Sequence, residues 1–240
     1  MKYATGRLAL QNASLTVNPG ELVVVLGANG CGKSTMLRII AGVQKPSAGE
    51  VCVAGQVITQ LKGRNLAQAR MALGMVFQQP HLVKRRSVLT NVMTGTLGRH
   101  RTVYTALGGL PAKEQPHAMM CLEQVGLGLF APQRASTLSG GQAQRVAIAR
   151  ALAQRPKVLL ADEPVASLDP EAAEDVMRLL RRLANEQEIG VLCVLHQPDL
   201  ARRYADRLVG LRQGVIAFSD SPAAISDAEI NGLYEGFSVS

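Results

Sequence analysis

The segment at residues 27–34 reads GANGCGKS, which fits the pattern GxxxxGKS and directly follows the apolar run Leu22–Leu26. Its glycines let the backbone turn N–H groups towards bound phosphates, and the N-terminus of the following helix adds a favourable field. The sequence therefore predicts a nucleotide-phosphate loop, with Lys33 as its mobile positive charge and the Ser34 hydroxyl as a magnesium ligand. A glycine turn that merely carries a lysine is the alternative for this motif alone. The predicted nucleotide contacts are Gly27, Ala28, Asn29, Gly30, Cys31, Gly32, Lys33, Ser34 and Thr35.

The chain contains four cysteines, Cys31, Cys52, Cys121 and Cys193, with no CxxC pair among them. Their scatter indicates neither a zinc site nor a disulfide framework, so a reducing compartment is the expected setting. Cys31 lies inside the predicted phosphate loop, beside Lys33 and a helix N-terminus. These surroundings predict a pKa below the ~8.5 of a free cysteine, and hence the most reactive thiol of the four. A small space-filling residue is the alternative for Cys31.

The order of the apolar segments predicts an α/β fold with a parallel core sheet. Together with the phosphate-loop motif at residues 27–34, it predicts a fold of the P-loop NTPase type. Residues 50–58 show short strands broken by Gly55, which predicts a small antiparallel β subdomain. We expect one domain over residues 1–240, with a helical subdomain inserted at approximately residues 80–150. The strands expected in the core sheet, each apolar and buried on both faces, are Leu22–Leu26, Lys157–Ala161 and Val191–Leu195.

Two adjacent carboxylates, Asp162 and Glu163, close the run VLLADEP at residues 158–164. Neighbouring residues on a strand point to opposite faces, so the two side chains are expected to have different roles. An acidic pair at a strand end is also often a helix cap or a solvated edge. The phosphate loop earlier in the chain favours the catalytic interpretation.

Residues 138–142 read LSGGQ and continue as AQRVAIARAL. Ser139 is a suitable N-cap, and Gly140 and Gly141 expose backbone N–H groups at the positive end of the helix, so the segment can grip a phosphate. The full string resembles the signature of ATP-binding cassette (ABC) proteins, whereas a generic helix start would explain Ser139 alone. In that family the signature of one subunit closes over the ATP of a second copy, in a head-to-tail dimer. The resemblance therefore implies nucleotide contacts by Ser139, Gly140, Gly141 and Gln142.

The same resemblance implies roles for residues that match the other family motifs. Asp162 resembles the aspartate that holds Mg²⁺, and Glu163 resembles the base that polarises the attacking water. Gln78, in GMVFQQP, is similar to the glutamine that reaches the magnesium ion and borders the surface touched by the membrane subunit. His196, in VLHQPDL, is similar to the histidine that contacts the γ-phosphate, and Tyr3 lies where the family places an aromatic ring against adenine. Catalytic roles are thus implied for Glu163, His196, Gln78 and Lys33, and magnesium ligation for Ser34, Gln78 and Asp162.

Longer stretches of the chain are most similar to the ATPases of phosphonate importers. The most discriminating of them is LHQPDLARRYADRLVGLRQGVI at residues 195–216. The resemblance implies an ATP-hydrolysing translocase subunit that energises phosphonate uptake and lies peripherally on the cytoplasmic face of the inner membrane. Its expected partners are a second copy of itself, membrane permease subunits and, indirectly, a solute-binding protein. The ATPases of phosphite and hypophosphite importers share this sequence pattern, so uptake of those ions or of another small anion is the alternative.

Charge and composition bear on the remaining classes of protein. The net charge of +8 would suit nucleic acid or anionic lipid, but aromatic residues make up only 3% of the chain, too few for base-stacking platforms. No nucleic-acid partner is therefore expected, and the basic cluster at Lys84–Arg86 is expected to contact protein or phospholipid. A soluble ABC ATPase of DNA repair or translation is the main alternative, but the coiled-coil insertion or second cassette typical of that class is absent from the sequence. No run approaches the ~18 apolar residues of a membrane span, so a membrane role is expected to come through a partner.

Overall fold

Apolar, β-branched segments form the strands of the computed structural model. The residues that the structure describes are 1, 9–100, 105 and 109–235. The strands, numbered along the chain, are β1 (Leu22–Leu26), β2 (Cys52–Val53), β3 (Gln56–Val57), β4 (Leu73–Val76), β5 (Val158–Asp162), β6 (Gly190–Val194), β7 (Arg207–Arg212) and β8 (Val215–Asp220). Every residue of β1 is 0% exposed, as expected for a strand covered on both faces. The other two predicted core strands are confirmed as β5 and β6, each shifted by one residue.

Six strands form the main sheet in the order β4-β5-β6-β1-β7-β8. The first five are parallel to one another, and β8 joins the edge antiparallel to β7. The carboxyl ends of parallel strands meet at one edge of a sheet, where ligands usually bind in open α/β folds. β1 leads into the loop at residues 27–32, β4 into Gln78, β5 into Glu163 and β6 into His196. The fold therefore brings these motifs to one edge of the sheet.

The remaining strands, β2 and β3, form a separate antiparallel pair in which Cys52 lies opposite Val57. Ala54 and Gly55 connect them with φ values of 48° and 79°, the left-handed backbone that a tight hairpin turn requires. The small antiparallel hairpin predicted at residues 50–58 is confirmed.

The helices of the described chain are α1 (Lys33–Ile40), α2 (Gly63–Ala69), α3 (Val88–Met93), α4 (Gln115–Gln124), α5 (Gly140–Leu152), α6 (Pro170–Gln187), α7 (Pro198–Tyr204) and α8 (Asp227–Gly232). The longest, α6, begins where the Asp169 carboxylate accepts a hydrogen bond of 2.9 Å from the N–H of Ala172. Val176, Leu180 and Leu183 recur at helical spacing and are buried in the core that contains β1 and β5.

Helices α3, α4 and α5 lie between β4 and β5 in the chain and pack on one another. Val92, Leu122 and Val146, each 0% exposed, join these helices to the core of the main sheet. The helical subdomain at approximately residues 80–150, and the single domain over 1–240, stay predictions. Within the described ranges, no helix combines the length and the apolar character that a bilayer crossing requires.

Candidate active site

Close backbone contacts that only glycine permits shape the loop between β1 and α1. A Cβ atom on Gly27 would lie 2.2 Å from the carbonyl oxygen of Leu211, and one on Gly32 would lie 2.4 Å from that of Ala9. Gly32, with a φ of 119°, is also the N-cap of α1, and no side chain of the described chain caps that helix. This helix start suits an anion, because a bound phosphate can take the place of the capping oxygen.

The Lys33 side chain folds back onto this loop and is only 5% exposed. Its Nζ atom donates hydrogen bonds to the carbonyl oxygens of Gly27, at 2.6 Å, and Ala28, at 3.0 Å. Burial lowers the pKa of Lys33, while the charges of Glu163 and Asp162 act in the opposite direction. The ammonium group is therefore held inside the loop, where bound phosphate would compete with the two carbonyl groups for it.

The other predicted loop contacts differ in exposure. Asn29 and Gly30 form an exposed tip, whereas Ala28 is buried. Ser34 and Thr35 lie in the first turn of α1, where Ser34 is half-buried and Thr35 is buried. A ligand in the loop would meet backbone from the tip and side chains from the helix.

Cys31 contradicts the prediction of a reactive thiol. The residue is 2% exposed, and burial raises the pKa of its thiol even though the Lys33 charge favours the thiolate. A Cβ atom on Gly27 would lie 2.8 Å from the Cys31 sulfur, and the Cys31 carbonyl accepts a 2.8 Å hydrogen bond from Gly214 N–H. The thiol is packed beneath the loop, so desolvation outweighs the nearby positive charge. The prediction of a lowered pKa was wrong for that reason.

Asp162 and Glu163 occupy two different backbone settings. Asp162 is the last residue of β5, opposite Val194 of β6, whereas Glu163 lies beyond the strand with a left-handed φ of 51°. The carboxylates are thus separated by a turn, and not by the alternation along a strand that the sequence predicted. Burial raises the pKa of Asp162, and the Glu163 charge raises it further.

The Glu163 carboxylate pairs directly with His196. Glu163 Oε1 and His196 Nε2 lie 2.6 Å apart, and the two side chains are 23% and 31% exposed. They line a small pocket of about 130 Å³ together with Val165 and Leu195. The sequence predicted a separate role for each residue, and nothing in the sequence indicates their direct contact. In the neutral imidazole this geometry makes Nε2–H the donor to the carboxylate.

Arg38 is a contributor to the site that the sequence analysis missed. Its positive charge, from the exposed face of α1, lowers the pKa of Asp162 together with Lys33 and His196, although burial and Glu163 prevail. The signal available in the sequence was its position one helical turn beyond Ser34, on the helix that follows the phosphate loop. Arg38 therefore helps to keep the half-buried carboxylate of Asp162 ionised.

Ser139 starts α5 with a reciprocal pair of hydrogen bonds. Its Oγ accepts from the N–H of Gln142 at 3.2 Å, and Gln142 Oε1 accepts from the N–H of Ser139 at 3.0 Å. Ser139 and Gly140 are exposed, whereas Gly141 is buried. A Cβ atom on Gly141 would lie only 2.9 Å from the Cβ atom of Ala172, so the backbone packs closely there. Residues 138–142, which we call the signature turn, therefore form a rigid helix start that is packed on α6 and exposed at Ser139 and Gly140.

Gln78 lies two residues beyond the end of β4, and its side chain is exposed. The electrostatic influence of Lys33 and Glu163 on neighbouring groups shows that the loop and both carboxylates form one cluster, with His196 joined to it through Glu163. Tyr3, the predicted adenine contact, lies outside the described residues.

The donor atoms at this edge fit a magnesium ion. Asp162 Oδ1 is buried and has no hydrogen-bond partner in the part of the chain that the structure describes. Such an orphaned carboxylate oxygen is unfavourable unless a cation or donor occupies the position. No group of three or more His, Cys, Asp or Glu side chains within the described ranges could hold a metal ion by itself. That pattern suits Mg²⁺, which is commonly held by one or two protein oxygens and by substrate phosphates.

A larger cavity, of about 860 Å³, lies elsewhere in the molecule. It is lined by residues 10–18, by the inner side of α1 and by residues around β2. Among the described residues, none of the predicted site residues lines it. Its size therefore does not bear on the chemistry at the carboxyl edge of the sheet.

Comparisons with known proteins agree with this geometry. Residues 10–166 match the ABC transporter family. The chain is 54% identical over 209 residues to the phosphonates import ATP-binding protein PhnC of Frankia casuarinae, covering 87% of this chain and 83% of that protein. It is 48% identical over 233 residues to the phosphonates import ATP-binding protein PhnC 3 of Nostoc sp., covering 97% and 88%.

Solved structures show the same architecture. The ADP conformation of MJ1267, an ATP-binding cassette of an ABC transporter, has a TM-score of 0.85 at 29% identity and covers 98% of this chain and 95% of that chain. The dimeric cassette MJ0796, in a post-hydrolysis state bound to ADP and Pi, has a TM-score of 0.75 at 35% identity and covers 89% and 90%. Together with the phosphate loop and the carboxylate edge, these matches establish that the chain belongs to the ABC transporter family and is an ATP-binding, ATP-hydrolysing cassette.

Proposed function

We propose that this chain is the ATPase subunit of an importer that takes up phosphonate. The observation that carries the motor role is the assembly, at one edge of the sheet, of a phosphate loop, a buried carboxylate and a carboxylate–histidine pair. The choice of solute is supported by the two relatives named as phosphonates import ATP-binding proteins. A cassette fold does not itself determine a solute, so the solute would be selected by a binding protein and a permease.

The loop residues bind and orient the triphosphate in this proposal. Lys33 exchanges its two carbonyl partners for phosphate oxygens, which form stronger, charge-assisted hydrogen bonds. Ser34, Asp162 and Gln78 hold Mg²⁺, and the ion when bound neutralises charge on the phosphate oxygens. The orphaned Asp162 oxygen supports this assignment, because it gains the partner that the protein does not provide.

Glu163 acts as the base that accepts a proton from the attacking water. His196 donates its Nε2–H to Glu163 Oε1, which fixes the carboxylate and leaves Oε2 to receive the proton. The pocket of about 130 Å³ beside this pair has room for a water molecule. The ring of His196 is 31% exposed, so a γ-phosphate bound in the loop would compete with Glu163 for this Nε2–H.

The signature turn acts on the nucleotide of a second copy. Ser139 and Gly140 are exposed, and the capping box keeps the turn in shape without a ligand. An exposed helix N-terminus favours an anion, and the phosphates held against Lys33 of another copy supply one. A head-to-tail dimer with two shared nucleotides follows from this complementarity.

Replacement of Glu163 by Gln tests the base and the dimer together. The amide keeps the size and the hydrogen bond to His196 but cannot accept the proton, so turnover should fall by about 10²–10⁴-fold. ATP should persist and hold two copies together, so Glu163→Gln with ATP and magnesium should elute from gel filtration as a dimer. A monomeric elution, or ATP hydrolysis at the unmodified rate, would sink the assignment.

The basic turn Lys84–Arg86 is the proposed contact with the permease. All three side chains are exposed, and the residue before them in the chain, Val83, is an exposed apolar residue. Asn91, only 2% exposed, fastens the turn through hydrogen bonds of 2.7 and 3.2 Å with the backbone of Val83. A rigid patch that combines apolar and basic side chains suits a protein surface at a membrane face. The chain would thereby lie peripherally on the cytoplasmic face of the inner membrane.

Charge reversal separates docking from hydrolysis. A variant with Lys84, Arg85 and Arg86 replaced by Glu should lose uptake in membranes that contain the permease, while ATP hydrolysis by the purified chain persists. Equal loss of both activities would instead show a folding defect.

Uptake by a deletion strain tests the choice of solute. Loss of phosphonate uptake, restored by the wild-type chain but not by Glu163→Gln, is the expected result. If only phosphite or hypophosphite uptake is lost, the solute assignment is wrong while the importer role stands. If no small-anion uptake changes, the importer role itself is wrong.

A further inference from the structure

Side chains of α5 and of the turn that follows it hold the backbone of β4 at both ends of the strand. At the start of β4, Gln154, two residues beyond α5, donates from Nε2 to the carbonyl oxygen of Leu73 at 2.7 Å. The same amide also reaches the carbonyl oxygens of Arg70 and Met71, each at 3.2 Å. At the end of β4, Gln144 donates from Nε2 to the carbonyl oxygen of Phe77 at 3.0 Å. Two glutamines on one helical segment thus fix the two ends of one strand.

The contacts at the end of β4 surround Gln78. Phe77, whose carbonyl Gln144 holds, is the residue before it. Arg150 holds the backbone after it, through hydrogen bonds from Nη1 to the carbonyl of His81 at 3.0 Å and from Nη2 to that of Pro80 at 2.8 Å. The backbone of Gln78 is therefore clamped on both sides by side chains of α5.

The side chain of Gln144, which donates this hydrogen bond, is protected from solvent. Gln144 is 1% exposed, whereas Gln78 itself is exposed and lies in a connecting segment. The hydrogen bond of a buried side-chain amide is costly to break, because the buried donor is then left without a partner. An exposed side chain on a loop has no such constraint, and its position depends on how firmly its backbone is held.

We propose that Gln144 is a positioning residue for the hydrolysis reaction, which holds the backbone of Gln78 to α5 so that Gln78 moves with the signature turn at Ser139. The inference rests on the proposed role of Gln78 at the magnesium ion. Ser139 is the N-cap of the same helix whose second turn carries Gln144, so the two sites share one rigid element. Through this shared helix, the position that the signature turn takes on a nucleotide would also fix the position of Gln78 at the metal.

The variant Gln144→Met tests this inference, because Met keeps the volume and removes the donor. The loss of this one hydrogen bond should appear as about a tenfold fall in kcat and about a tenfold higher magnesium concentration for half-maximal activity. The KM for ATP should stay within about twofold, since the phosphate loop is untouched. Gln154→Met is the matched control, with the same substitution at the opposite end of β4, and should lower Tm without changing the magnesium requirement. An unchanged magnesium requirement in Gln144→Met, or an equal change in Gln154→Met, would overturn the proposal.

A double-mutant cycle separates this proposal from the role of Gln78. If Gln144 acts through Gln78, the fall in kcat caused by Gln144→Met should disappear in a Gln78→Ala background. Additive effects would overturn the positioning role, whereas a Gln78→Ala variant with normal magnesium dependence would overturn the proposed role of Gln78 itself. Arg150→Lys provides a second test if Gln144→Met fails to fold. It keeps the charge but cannot bond two carbonyl groups as a planar fork, so it should raise the magnesium requirement in the same direction. An Arg150→Lys variant with a normal requirement would count against the clamp.

Discussion

The phosphate loop and the signature turn both present the N-terminus of a helix, but they are built in opposite ways. Helix α1 starts at Gly32, without a side-chain cap from the described residues, and its first residue, Lys33, is 5% exposed. Helix α5 starts at Ser139, which is exposed and closed by a reciprocal capping box with Gln142. The start of α1 is thus enclosed by the rest of the chain, whereas the start of α5 is exposed and stabilised by its own side chains.

The difference indicates how each element meets a nucleotide. The loop keeps its positive charge inside one chain, so it can bind phosphate without help from another copy. The signature turn needs no ligand for its own stability, because its side chains already satisfy the first backbone groups. A single chain should therefore bind ATP through the loop, and the turn should contribute only when two chains meet.

The largest effect is expected in the phosphate loop, when its buried lysine is replaced. Lys33→Met removes charged hydrogen bonds to phosphate, each equivalent to ~1.5–3 kcal/mol, so ATP should bind about 100-fold more weakly. Titration calorimetry on the monomer measures this loss. Lys45→Met, at an exposed lysine, is the control and should bind ATP as the unmodified chain does. Near-normal binding by Lys33→Met would show that the loop does not depend on its own lysine.

A smaller effect is expected at the signature turn. Ser139→Ala should leave ATP binding by the monomer unchanged but lower turnover about tenfold, because the turn loses its cap and its hydroxyl. Ser226→Ala is the matched control, since Ser226 closes the same kind of capping box on α8 with Glu229. Both variants should lose ~1 kcal/mol of stability, but only Ser139→Ala should lose activity. Weaker ATP binding by the Ser139→Ala monomer would contradict the comparison.

Many of the local features in this comparison could be predicted from the sequence. The strands, the hairpin and the cap at Ser139 follow from apolar periodicity and from short-range capping rules, which act between residues close in the chain. The Glu163–His196 pair joins residues that are distant in sequence, and its geometry depends on the register of β5 and β6. The same holds for the grip of Gln144 on the carbonyl of Phe77. No local pattern encodes such contacts, since they exist only after the sheet has formed.

Asp162 offers a test through stability and pH. Because burial raises its pKa, the folded protein holds the proton more tightly than the unfolded chain does. The free energy of unfolding therefore falls as the pH rises from the ordinary pKa of an aspartate through the raised pKa of Asp162. Asp162→Asn removes this buried charge and should raise Tm at neutral pH by about 2–4 °C, the change that ~1 kcal/mol produces in a chain of this length.

The gain in Tm for Asp162→Asn should shrink at low pH, where the aspartate is protonated in both states. ATP hydrolysis should be lost at the same time, because the amide is a poor magnesium ligand. An active Asp162→Asn variant, or a variant less stable at neutral pH, would contradict the assignment of Asp162 as a partly desolvated magnesium ligand at this edge.

The smallest effect on function is expected at Cys31, where the enclosure of the loop decides reactivity. A thiol that is 2% exposed and has a raised pKa reacts slowly, whereas Cys52 is exposed. During the time in which a maleimide labels Cys52 fully, ATP hydrolysis should fall by less than about twofold. Mass spectrometry of the labelled peptides distinguishes the two sites. Labelling of Cys31 first, with protection by ATP, would mean that the loop opens to solvent, and the contrast with the exposed signature turn would then fail.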